Sequence, residues 1–171
     1  MKFFVEVCGV GAVDAPPSVL VVFDNGAYLF NCGEATQRVF NEYKHRFGKL
    51  KHIFLTRLSW EQVGGLPGFI LTLADSGTKE LQLFGSSNIE YLLSCFRHFV
   101  HRNDICMKVK GWECGTPALP FRDSNLAIHP VLIRPSPAPD APPALSPDTG
   151  GQCDLDDISL YFRTMDPFPS A

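Results

Sequence analysis

Residues 53–69 read IFLTRLSWEQVGGLPGF, and the order of features in this stretch decides the fold. Ile53, Phe54 and Leu55 form an apolar, β-like run that ends at Thr56. A polar loop follows, and Val63-Gly64-Gly65-Leu66-Pro67-Gly68 then opens a second apolar segment. That segment predicts a helix over 63–74, with Gly64, Gly65 and Gly68 allowing close packing at its start. Upstream, 50–55 is one strand. Before it, Ala35, Val39, Phe40 and Tyr43 fall at helical spacing, which predicts a helix over 34–43 that fades by Phe47-Gly48. Downstream, 80–84 reads as a short strand. The span 88–100 reads as a helix with Ile89, Leu92, Leu93, Phe96 and Phe99 apolar. Alternating strands and helices are the signature of an α/β fold.

The first thirty residues differ, because strands follow one another there. Segment 2–8 alternates loosely and breaks at Gly9-Val10-Gly11; 18–23 is apolar and β-branched. Asp24-Asn25-Gly26 predicts a hairpin, since Asn-Gly suits the positive φ angles of a type I′ turn, and 27–31 returns as its partner. Residues 101–123 are less regular, and 126–133 is a strand candidate. The run RPSPAPDAPPALSPDTGG at 134–151 predicts a disordered excursion, and DISLYFRTM at 157–165 a returning strand. The resulting organisation is a domain over 1–133, a Pro-rich insertion over 134–151, and a returning strand with a truncated end over 152–171.

With 171 residues, 45% of them hydrophobic, the chain can bury the core of one domain. A formal charge of -3 argues against a dedicated nucleic-acid-binding domain, which carries a basic face. One local basic run, Arg38, Lys44, Arg46, Lys49 and Lys51, is a candidate RNA contact; a solvated helix face explains it equally well. The six cysteines lack any CxxC pair, and the opening MKFFVEV reads as a strand instead of a secretory signal. Reduced, mostly buried thiols in a soluble, intracellular protein are the expectation, with no membrane span.

The motifs taken together resemble the metallo-β-lactamase family, and more closely its ribonuclease Z (tRNase Z) branch, where FLTH-x-H-x-DH-x-GGL-x-G binds two zinc ions. On that pattern the ligand positions hold Arg57, Ser59, Glu61 and Gln62. YLFNCGEATQ at 28–37 is similar to the family's DCGEGTQ-like element, with Asn31 where many relatives have Asp. LQLFGSSNIEY at 81–91 is similar to the strand-to-helix junction that follows. The resemblance covers roughly residues 1–100 and implies an αββα sandwich, of which this chain holds the first half to two thirds. An exposed apolar sheet edge or face is therefore expected.

Zinc takes imidazole, thiolate or carboxylate donors, and an arginine cannot be deprotonated to join them. The resemblance therefore implies no catalytic and no metal-binding residue in this chain. It points to the amino-terminal half of a long-form enzyme, whose other half carries the zinc. Arg57 is expected to pair with Glu61 or Glu34 in the space of the lost ions. Glu61 with His52 or His129 as a remnant metal site is the weaker reading, because one carboxylate and an amide do not complete a donor set. His98 and His101, three apart, read as helix C-terminal complements. Cys32 has no histidine placed beside it by sequence and reads as a structural thiol. Gly9-Val10-Gly11 lacks the rest of a phosphate loop.

The expected function is tRNA 3′-end processing, as the non-catalytic scaffold or substrate-holding half beside a zinc-dependent hydrolase. Its partners would be that catalytic half and precursor tRNA, in nucleus or mitochondrion. The alternative is a metal-free scaffold of the same fold unrelated to tRNA cleavage. An active hydrolase using Glu61 is the third possibility.

Overall fold

In a computed structural model, residues 2–9, 16–100, 105–112 and 120–131 are described. Six strands form one sheet in chain order: β1 (Phe3–Gly9), β2 (Ser18–Phe23), β3 (Ala27–Phe30), β4 (Leu50–Phe54), β5 (Glu80–Ser86) and β6 (Cys106–Trp112). The first three pair antiparallel; β3 to β6 run parallel. The connections explain the change. A short turn joins β2 to β3, whereas each parallel pair needs a crossover, supplied by helices α1 (Thr36–Glu42), α3 (Leu66–Asp75) and α4 (Ile89–Phe96). The short α2 (Trp60–Val63) precedes α3, and a two-stranded unit, β7 (Phe121–Arg122) with β8 (Ala127–Ile128), completes the described fold.

Alternation along the strands makes two different faces. One carries Leu20, Leu29, Leu50, Ile53, Leu81 and Leu83, which meet Phe40 of α1, the α3 stripe of Leu66, Phe69, Ile70 and Leu73, and Ile89 of α4. All of these are fully buried, and each large side chain withdrawn from water contributes roughly 1.5–3 kcal/mol. The other face is aromatic. Tyr28, His52 and Gln82 lie in one row across β3, β4 and β5, and Phe30, Phe54 and Phe84 in the next. Phe121 of β7 caps this layer, with ring centroids 5.3 Å from Phe54 and 5.0 Å from both His52 and Phe84. Helix α3 ends where Gly77 takes φ +86°, which lets the Thr78 N–H reach back to Leu73 O at 3.0 Å.

Several sequence expectations change. The β2–β3 hairpin forms, but neither Asn25 nor Gly26 has positive φ. The last ladder pair is Val22 with Ala27, and the Phe23 N–H donates to Gly26 O at 2.8 Å. This longer connection turns the chain without the left-handed pair a type I′ turn needs. The expected apolar helix faces also overran. Tyr43 and Phe99 lie past the last helical residues and are exposed, and buried Thr36 takes part in the α1 seam instead. Helix α4 stops at Phe96, well short of 100.

Strand β6 falls in the stretch read as irregular. There Met107 and Val109 face the helices while Lys108 and Lys110 alternate with them. The 126–133 strand shrinks to Ala127–Ile128, and Val131 is exposed. Of the four described cysteines only Cys32 is buried; Cys95 and Cys106 are exposed, so mostly buried thiols was too broad a reading. The expected open apolar edge is β1, at one end of the strand order, where Phe3, Phe4, Val5 and Val7 are all exposed. The 134–151 excursion, the 157–165 strand, Gly11, His101, Cys114 and Cys153 lie outside the described residues.

Candidate functional site

Strands β3 and β4 end side by side, and their exits build the loop. The Asn31 N–H donates to Phe54 O at 2.8 Å, and Leu55 N–H to Phe84 O at 2.7 Å, so three adjacent strands finish in register. Asn31 then takes φ 60°, a conformation asparagine tolerates better than most residues. Its side-chain Oδ1 accepts from both the N–H and the hydroxyl of Thr56, each at 2.9 Å. An amide oxygen thereby staples the β3 exit to the β4 exit.

Main chain holds the rest of the frame. The Cys32 N–H donates to Gln62 O at 2.7 Å, and Gly65 N–H donates back to Cys32 O at 3.0 Å. The backbones approach so closely that a Cβ on Gly65 would stand 2.1 Å from Gly33 O. This contact, not a turn requirement, is what demands glycine at 65. The NCGE segment and the VGGL segment are thus clasped to each other.

The four degenerate ligand positions sit on top of this clasp and face different ways. Arg57 reaches Glu61 at 3.4 Å, four residues on, with 66% and 67% of the two side chains exposed. Its Nε also approaches Ser59 Oγ at 3.4 Å. The expected pair with Glu61 is present, but it lies in solvent and fills no internal space; the prospect of an internal pair is corrected accordingly. An exposed pair of this kind contributes about 0–1 kcal/mol. The Ser59 hydroxyl donates to Gln62 Oε1, and Gln62 is buried against the clasp. Beside them Trp60 is exposed, its ring edge packed on Gly64.

Zinc, which this fold family employs, does not fit these donors. A guanidinium repels the ion, an amide already accepts from Ser59, and the carboxylate is shared with Arg57. Among the described residues, no group of three or more His, Cys, Asp or Glu is arranged to hold a metal. The described histidines are dispersed. His52 is stacked on Tyr28 at 5.2 Å in the aromatic layer, where burial holds its pKa below the ordinary value against the pull of Asp123. His45 meets Glu6 at 3.0 Å, and His129 is exposed. Burial pushes the Cys32 thiol far above its usual range, so it stays protonated and is no nucleophile.

The basic run divides. Arg38, Lys44, Arg46 and Lys51 are exposed, and Lys49 is half-buried with its Nζ donating to Asp24 O at 2.7 Å. Lys49 and Lys51 flank the start of β4, at the opposite end of the sheet from Arg57. Sequence reading did not single out Tyr28, Arg122, Asp123 and Asn125, which gather at that same end. No periodicity could have joined residues nearly a hundred positions apart.

A single helix-covered sheet, parallel in its second half, with a glycine-clasped loop at the strand exits, places the chain in the metallo-β-lactamase fold class. The short form of human tRNase Z shares this fold at TM-score 0.57 and 22% identity, over 63% of this chain and 43% of that one. A family model described as tRNase Z endonuclease matches residues 6–65. Mitochondrial ribonuclease Z of Drosophila melanogaster is 40% identical over 123 residues, which is 72% of this chain and 16% of the fly protein. A long-form RNase Z from yeast superposes at TM-score 0.64 with 35% identity, over 73% of this chain and 16% of that one. The chain belongs to the ribonuclease Z family, and spans about a sixth of these long relatives.

Proposed function

We propose that this chain acts in tRNA 3′-end processing as the non-catalytic, amino-terminal-type half of a ribonuclease Z. The supporting observation is the loop at 57–62. Its frame is intact, while an exposed Arg57–Glu61 pair stands where the family's ligands would be. In this reading a partner half supplies the zinc and the cut, and this half scaffolds it and helps hold precursor tRNA through Arg38, Lys44, Arg46, Lys49 and Lys51. In this reading the domain over 1–133 carries that role. The mitochondrial names of relatives support a mitochondrial setting, and nuclear work extends the same reading. Among the described residues no helix is long and apolar enough to cross a membrane.

The experiment is a cleavage assay on a precursor tRNA carrying a 3′ trailer. The pure chain with added zinc should release no trailer. Mixed with a catalytic ribonuclease Z half, it should co-purify and raise the rate of cleavage. Trailer release by the chain alone, or no effect on the catalytic half, would overturn the reading.

A further inference from the structure

At the end of the sheet away from Arg57, the β2–β3 connection, the start of β4 and the β7–β8 turn enclose an open cleft of about 480 Å³. That volume lies within the range of ordinary ligand sites. Lys49, Lys51 and Arg122 line it, together with the amides of Asn25, Gln82 and Asn125. Three cations therefore face a single lining carboxylate, that of Asp123, on a chain whose net charge is -3.

Asp123 is exposed, but both of its oxygens are engaged by the wall. Its Oδ2 accepts from the Tyr28 hydroxyl at 2.5 Å and its Oδ1 from the Ser124 N–H at 2.5 Å, so both oxygens are occupied. Asn125 Nδ2 donates to the same Tyr28 oxygen at 2.9 Å, which fixes the wall, while Asn125 Oδ1 is enclosed without a partner. His52 on the floor is held neutral by burial and adds no charge. What the cleft offers a ligand is a surplus of N–H donors with positive charge. Such a set matches the acceptor-only oxygens of phosphate esters.

We infer that this cleft seats a phosphodiester segment of RNA, with Lys51 and Arg122 as its principal phosphate contacts. The inference rests on the proposed role in holding precursor tRNA and names where the backbone would lie. It adds Arg122, which sequence reading had not included, and places the contact away from the degenerate metal loop. Lys49 also lines a second depression with Lys44 and Arg46, so the rim continues toward α1.

The test is fluorescence-anisotropy titration of a labelled precursor tRNA transcript with the full 171-residue chain at several salt concentrations. Removing one cation from a phosphate should flatten the slope of log affinity against log salt by about 1. The pair Lys51→Gln and Arg122→Gln should therefore flatten it by about 2 and weaken binding at least tenfold near 0.1 M salt. Lys51→Gln alone should give half the change in slope, which guards against disturbance of β7 by the second substitution. Arg57→Gln, at the far end, should leave the slope at the parental value. A parental slope in the double variant, an equal loss in Arg57→Gln, or no RNA binding by the parent would each overturn the cleft assignment. Activation of a catalytic half by a chain that binds no RNA would sink the cleft alone. RNA binding through the cleft without activation would instead sink the proposed function.

Discussion

The two ends of the central sheet are built by opposite means. At the exits of β3 and β4 the loop is fixed by main chain: Cys32 donates to Gln62 and accepts from Gly65, and Gly33 touches Gly65. Arg57 and Glu61 above it project into solvent. At the entry of β4 the reverse holds. Side chains from separated segments, Tyr28, Asp123, Asn125 and Lys49 among them, make the walls. A frame fixed by backbone can change its outer residues with little effect on folding, so the loop keeps its shape without its ligands. A wall made of side chains loses its shape when one of them changes.

This contrast can be broken at three points. The largest effect is expected from Gly65→Ala, whose methyl would collide with Gly33 O. Relief requires the two segments to part, at a cost of about 3 kcal/mol or a fall in Tm on the order of 10 °C. Calorimetry that finds Tm within about 2 °C of the parent would mean the clasp is loose. A middle effect is expected from Tyr28→Phe, which removes a part-buried hydroxyl's bonds to Asp123 and Asn125, about 1–2 kcal/mol in denaturant titration at pH 7.

This second effect depends on pH. The Tyr28 hydrogen bond, first among its causes, holds the Asp123 carboxyl below its ordinary range. The resulting stability is present above the unfolded carboxyl pKa of about 4 and fades as pH falls through the lower folded value. The gap between parent and Tyr28→Phe should therefore narrow in acid; a gap that stays constant to about pH 2.5 would remove the charge-assisted role. The smallest effect belongs to Arg57→Ala, under about 0.5 kcal/mol, since its partner is equally exposed. A loss above about 1.5 kcal/mol would show that the loop leans on its side chains after all.

The legibility of the sequence follows the same division. β2 was readable because an apolar, β-branched run bounded by turn residues has few other uses, and β4 because the apolar Ile53-Phe54-Leu55 run closes it at Thr56. The glycine-framed loop was readable as a pattern, and so was the Arg57–Glu61 pair, four residues apart across the loop that leads into α2. The failures have physical causes. Tyr43 and Phe99 keep the helical period one step beyond where the backbone leaves it, and a period carries no information about its own end. β6 hides its alternation behind two lysines at an exposed sheet margin. The cleft was invisible because Tyr28 and Asp123 meet only after the aromatic layer has brought β7 onto the sheet.

The open flank of β1 has a practical consequence. Phe3, Phe4, Val5 and Val7 leave apolar groups on both faces of a strand that, among the described residues, pairs on one side only. Such a margin is a template for further strand pairing, unlike the lysine-bearing margin at β6. Self-association of the purified protein at high concentration is therefore expected to start at this strand. A lysine in place of Val5 or Val7 is the first change to make for anyone who needs the chain concentrated.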